Sequence, residues 1–203
     1  LSGLLASRAR LMGELSHELR SPLARLQAAL ALAAHHGTFR AGEVARIEAE
    51  IRRMDQTIGD LLKFSRLDAA APLQRRLVRL DELLQALVRD EEIEAANRGC
   101  RLELEAAAGP PLVGDPELLR TAFENVLRNA IRYAPAGTAV QLALQREPSW
   151  LVVRIADRGP GVPAEFLARI FEPYVRVPDG TEGTGLGLAI ARRAVEAHGG
   201  TIE

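Results

Sequence analysis

The first third of the chain repeats apolar residues every three to four positions and then stops, and this change of period constrains the fold more than any single residue. Leu11, Leu15, Leu19, Leu23, Leu26 and Leu30 share one face of a predicted first helix. In a second helix Val44, Ile47, Ile51, Met54, Ile58 and Leu61 alternate three and four residues apart, which is a heptad seam. Between them His36-Gly37-Thr38-Phe39-Arg40-Ala41-Gly42 can turn the chain back, so the two helices predict a hairpin. A lone hairpin buries only part of each seam. Two copies closing into a four-helix bundle bury the rest, which predicts a homodimer.

The seam ends near Ala69-Ala70-Ala71-Pro72, and residues 69–76 read as a linker between residues 1–68 and residues 77–203. Beyond it, helices and strands alternate. Helices are expected from Asp81 (as N-cap) to Asn97, from Pro116 to Tyr133 behind Asp115, from Ala164 to Ile170 and from Leu186 to Ala197. Strands are expected over Arg101 to Glu105, Ala139 to Gln145 and Trp150 to Ala156, the last two joined by a turn at Arg146-Glu147-Pro148-Ser149. The fold class is therefore α+β.

Composition narrows the function. With 26 basic and 27 acidic residues the chain lacks the positive surface that nucleic-acid binding needs. A single cysteine, Cys100, excludes an internal disulfide framework and a cysteine-rich zinc site, and fits a reducing compartment. The stretch from Leu26 to Gly37 is nearly uncharged but too short to span a bilayer. The chain opens in mid-pattern at Leu1 and stops after a Gly-Gly turn, which leads us to expect a piece of a longer protein.

On the first helix, at roughly 100° per residue, His17 lies nearly opposite the leucines, on a face shared with Arg10, Glu14, Ser21 and Ala24. Pro22 removes a backbone donor in mid-helix and should bend the rod there. An isolated histidine on a polar face is ordinarily a solvated surface residue. The run Glu14-Leu15-Ser16-His17-Glu18-Leu19-Arg20-Ser21-Pro22-Leu23, however, resembles the phosphoacceptor box of sensor histidine kinases. A neutral imidazole nitrogen is nucleophilic near neutral pH, and the neighbouring Glu18 can orient the ring or take its proton. Where relatives often carry threonine or asparagine to position water for dephosphorylation of the partner, this chain has Ser21.

Four segments of the second region, in order, resemble the ATP-binding domain shared by histidine kinases, Hsp90 chaperones, type II DNA topoisomerases and MutL repair proteins. Asn125 and Asn129, four residues apart on one helix, resemble the asparagine box, and amide oxygens suit Mg²⁺, with Asn129 the first choice and Asn125 beside it. Arg132 stands where lysine often lies near the phosphates, and Tyr133 can pack on adenine. Asp157-Arg158-Gly159-Pro160-Gly161 follows a strand; Asp157 resembles the carboxylate that accepts the adenine amino group, with Gly159 and Gly161 allowing close approach. Ile170-Phe171-Glu172-Pro173-Tyr174-Val175-Arg176 resembles the phenylalanine box, with Arg176 able to reach the γ-phosphate and Val177 to Glu182 forming a lid. Gly183-Thr184-Gly185-Leu186-Gly187 leads into a helix whose positive end favours phosphate. It is not a P-loop: no Gly-Lys-Ser/Thr is present, and Lys63 is the only lysine.

The resemblance implies a dimeric four-helix bundle followed by an α/β-sandwich ATP-binding domain of the Bergerat type, C-terminally incomplete because relatives continue into further strands. It implies autophosphorylation of His17 from Mg-ATP, then transfer to an aspartate of a response-regulator receiver domain. It also implies that this is the cytoplasmic portion of an inner-membrane protein, with any membrane segment outside the chain. Two other readings use the same residues: an ATP-driven conformational clamp, and a dimerisation module with an inactive nucleotide site.

Overall fold

The structure is a computed structural model that describes Leu23, Leu26, Leu30 and residues 41–68, 73–106, 109–178 and 184–203. His17, Glu18, Ser21 and Gly183 lie outside the described residues. The chain divides into two compact units, Leu1–Lys63 and Phe64–Glu203.

In the first unit, helix α1 (Ala41–Asp68) is already helical at Ala41 and Gly42, inside the stretch read as a turn. Its predicted seam splits into two stripes. Val44, Ile51 and Ile58, seven apart, are 40%, 48% and 41% exposed, whereas Ile47, Met54 and Leu61 are half-buried. Among the described residues of α1 the buried positions are Glu50, Thr57 and Phe64, again seven apart. Residues seven apart differ by only ~20° around a straight helix, so each series tracks one narrow face. One apolar face of the single chain thus stays in water, and Leu23 and Leu30 are exposed as well.

The second unit is a layer of helices on a small mixed sheet. Its strands are β1 (Arg76–Val78), β2 (Arg101–Ala106), β3 (Leu112–Gly114), β4 (Ala139–Arg146) and β5 (Leu151–Ala156). Among the described residues β2, β4 and β5 form one sheet in that order, β2 parallel and β5 antiparallel to β4, and β1 pairs antiparallel with β3. Alternation does the sorting in β4: Val140, Leu142 and Leu144 point into the core while Gln141 and Gln145 face out. The helices are α2 (Leu80–Asn97), α3 (Pro116–Tyr133), α4 (Ala164–Leu167) and α5 (Gly187–Ala197). Leu87 of α2 and Leu127 and Ile131 of α3 meet Val140 and Leu142 in one core cluster. Leu84 of α2, Leu119 of α3 and Leu144 of β4 form a second, each fully buried leucine contributing about 1.5–3 kcal/mol. The unit also takes in the end of α1, where Phe64 is buried under the Arg193 guanidinium, 4.2 Å from the ring centroid.

Local chemistry sets the helix ends. The Asp115 Oδ1 accepts from the Glu117 and Leu118 amides at 3.1 and 3.2 Å, and Pro116 follows, so α3 starts where the cap demands. Asp81, expected to cap α2, does not: Arg79 is the N-cap residue, and Asp81 sits in the first turn, its carboxylate gripped by the Arg79 guanidinium at 2.8 Å. That hydrogen bond holds the Asp81 carboxyl below the usual carboxylate range. Helix α4 stops at Leu167, short of the expected Ile170. The β1 and β3 strands escaped the sequence pattern because three residues are too few to show alternation.

Candidate nucleotide-binding site

Helix α3 carries the first part of the site, and its rotation is fixed from behind. Arg128 reaches the buried Glu91 of α2 and, on its own helix, Glu124, at 2.9 and 2.8 Å, and Arg120 reaches Asp90 at 2.6 Å. These bonds tie one face of α3 to α2. Asn125 and Asn129 lie on the adjoining face, half-buried, and Arg132 and Tyr133, also half-buried, follow at the helix end.

The turn after β5 closes onto that end. The Gly159 amide donates to Asp157 Oδ1 at 2.7 Å, an Asx turn that fixes the carboxylate of an otherwise exposed aspartate. A Cβ on Gly159 would lie 2.6 Å from that oxygen and 2.7 Å from the Tyr133 carbonyl oxygen. Only glycine allows this approach, which brings Asp157 beside Tyr133. Gly161 differs from the expectation that both glycines serve close approach: it has φ +74° and open space around it, so its role is conformational.

The glycine loop meets the other segments at two points. The Tyr174 amide donates to the Gly185 carbonyl at 2.9 Å, and a Cβ on Gly185 would lie 2.9 Å from the Tyr174 backbone. Both residues are left-handed, at φ +64° and +68°. At Gly187, a Cβ would lie 3.2 Å from the Asn125 Oδ1, so the start of α5 rests on the asparagine of α3. The Thr184 hydroxyl accepts from the Leu186 amide at 3.3 Å, and α5 has no side-chain N-cap. Leu186 contributes backbone only, since its side chain is in the core. Arg176 is exposed two residues beyond Tyr174.

The structure therefore brings Asn125 to Gly187, Asp157 and Gly159 to Tyr133, and Tyr174 to Gly185, from four separate stretches of chain. The backbone pairing of Tyr174 with Gly185 had no sequence signal beyond the presence of both motifs. Among the described residues no cluster of three or more His, Cys, Asp or Glu side chains could hold a metal.

Residues 7–70 match the family described as His Kinase A (phospho-acceptor) domain, and residues 114–203 match the histidine kinase-, DNA gyrase B-, and HSP90-like ATPase family. Sensor histidine kinase CpxA of Escherichia coli is 35% identical over 208 aligned positions, covering 100% of this chain and 45% of its own. Sensor protein PfeS of Pseudomonas aeruginosa is 38% identical over 98% of this chain and 44% of its own. The chain thus spans a little under half the length of these curated relatives. Among solved structures, histidine kinase AdeS of Acinetobacter baumannii superposes with a TM-score of 0.73 at 23% identity, covering 89% of this chain and 86% of its own, a likeness of fold. Full-length ShkA in complex with AMPPNP superposes with a TM-score of 0.69 at 31% identity, covering 94% of this chain and 41% of its own. With a phospho-acceptor segment followed by an ATPase segment, and relatives aligned along its whole length, the chain belongs to the sensor histidine kinases of two-component systems.

Proposed function

We propose that this chain is the kinase core of its parent protein: residues 1–68 dimerise and carry the phosphoacceptor, residues 69–76 link, and residues 77–203 bind ATP. The observation that carries this reading is the seating of Gly187 on Asn125, which joins a phosphate-binding helix start to amide donors. Asp157, held by its own turn, accepts from the adenine amino group; Gly159 and Gly161 shape that turn, and Tyr133 walls the base. Gly183, Thr184, Gly185, Leu186 and Gly187 offer backbone amides to the phosphates, and Arg132 and Arg176 supply positive charge. Asn129 and Asn125 would hold Mg²⁺, which supplies charge neutralisation at the phosphate oxygens; two amide oxygens plus waters and phosphates suit its octahedral preference.

In the reaction an imidazole nitrogen of His17 attacks the γ-phosphorus in line. A P–N bond forms, the bond to the ADP oxygen breaks, and the ring proton passes to Glu18 or water. Positioning and charge stabilisation dominate the rate. The phosphoryl group then moves to an aspartate of a response-regulator receiver domain, and Ser21 offers a hydroxyl to orient a water that attacks the aspartyl phosphate in a separate hydrolysis, releasing inorganic phosphate and the free carboxylate. The uncovered stripe of Val44, Ile51 and Ile58 is the face a second copy covers in a four-helix bundle. No described helix is long and apolar enough to cross a membrane, and we place the core on the cytoplasmic side of a membrane-anchored parent. The near balance of charge argues against a nucleic-acid partner.

Incubation with γ-labelled ATP followed by mapping of the modified residue tests the reading. Label on His17, absent in His17→Gln while ATP binding persists, is expected. Acid-labile label retained in His17→Gln would overturn the assignment, and ATP binding without transfer in the wild type would favour an inactive dimerisation module.

A further inference from the structure

Helices α3 and α5 run antiparallel and touch through Ala122, Ala191 and Ala194, all buried. Leu118 and Val126 of α3 and Val195 of α5 pack around these alanines, and contacts at the two ends of α5 add fixed points to the register. At one end Gly187 lies against Asn125. At the other, eleven helical residues or about 16 Å away, stands His198, which no part of the proposed chemistry uses.

His198 is engaged at both ring nitrogens. The Asp115 amide can only donate, so at 2.8 Å Nε2 is the acceptor. Nδ1 then carries the hydrogen and donates at 2.6 Å to the Ala194 carbonyl, in the last turn of α5. Gly114 lies against the ring and against Leu112: a Cβ there would be 2.8 Å from His198 Cδ2, 3.0 Å from Nε2 and 2.8 Å from Leu112 Cδ1. The same Asp115 caps α3 with Oδ1 and accepts the Gln74 amide at Oδ2 at 2.9 Å. One residue thus joins the start of α3, the end of α5 and the chain that enters the unit.

We propose that His198 is a positioning residue for the nucleotide: by accepting the Asp115 amide it pins the far end of α5 to the start of α3, and so sets the glycine loop against Asn125 at the near end. The inference rests on the nucleotide-binding reading above. Its signature is selective. The base side of the site belongs to α3 and the turn after β5, whereas the phosphate side needs α5 in register with α3.

The test measures ATP and adenosine binding to the full 203-residue chain by calorimetry and ligand-observed NMR. His198→Leu removes the acceptor and should weaken ATP about tenfold while changing adenosine less than about twofold. Gly114→Ala, which crowds the ring without removing it, should shift ATP in the same direction. His198→Gln, which keeps an acceptor oxygen near the Nε2 position, should restore ATP to within about threefold of wild type. Parallel weakening of both ligands, or ATP binding unchanged in His198→Leu, overturns the inference and leaves the nucleotide reading standing. A wild-type chain that binds neither ligand overturns both.

Discussion

Replacing Gly159 by alanine should damage the base side of the site far more than the same change at Gly161, and the two positions separate close approach from backbone conformation. At Gly159 the φ lies outside the left-handed region, so alanine meets no conformational penalty there. The cost is steric: the new carbon would sit 2.6 Å from Asp157 Oδ1 and 2.7 Å from the Tyr133 carbonyl oxygen. The carboxylate can rotate away, but it then gives up the 2.7 Å bond from the Gly159 amide that holds it, a net loss of about 0.5–1.5 kcal/mol. The carbonyl belongs to the end of α3 and yields only with the backbone, so overpacking adds about 1–3 kcal/mol. If about 2 kcal/mol of this appears at the site, ATP binding weakens about thirtyfold, with the preference for adenine over guanine reduced because the carboxylate has moved. At Gly161 no atom lies within 4 Å, and alanine meets only the left-handed φ of +74°, worth about 1–2 kcal/mol in stability. Calorimetric titration with ATP and GTP, alongside thermal melts, separates the two effects. ATP affinity in Gly159→Ala within twofold of wild type, or a larger loss of affinity in Gly161→Ala, would refute the reasoning.

Two further outcomes are expected. Ile51→Asp, which places a charge in the exposed heptad stripe, should shift the sedimentation-equilibrium mass from dimer to monomer, and a dimer unchanged at micromolar concentration would place the interface elsewhere. Asp81 has its folded pKa lowered by the Arg79 hydrogen bond, so its stabilising contribution is complete above the unfolded value of about 3.9 and is lost as pH falls through the lower folded value. Urea melts between pH 5 and pH 2 should therefore show a shallower loss of stability in Asp81→Asn than in wild type, and identical slopes would remove Asp81 from the acid response.

What could be read from the sequence is what depends on neighbours along the chain. Helix α3 starts at Pro116 as expected because a cap, a proline at the first helical position and the following leucine spacing act within one turn. The failure at Asp81 is equally local: the guanidinium of Arg79 competes for the carboxylate that capping would have used, and no spacing rule ranks those two partners. The seam of α1 was legible as a period but not as a division of labour. Whether Ile51 or Glu50 faces inward, one residue apart on the helix, depends on what lies across from it. The site shows the same boundary. Each motif announced itself, yet the glycines within them could not be told apart, because their roles are set across the fold: Gly159 by Tyr133, Gly185 by Tyr174, Gly187 by Asn125. The bond from Asp115 to His198 spans 83 positions and joins two residues that, read singly, are a helix cap and a helix end. Motif order therefore carried the family, while the placement of Gly187 against Asn125 rests on a helix register that only the packed structure defines. Variants that disturb that register should separate binding of the phosphates from binding of the base, whereas variants within a motif should lose the contact that motif makes.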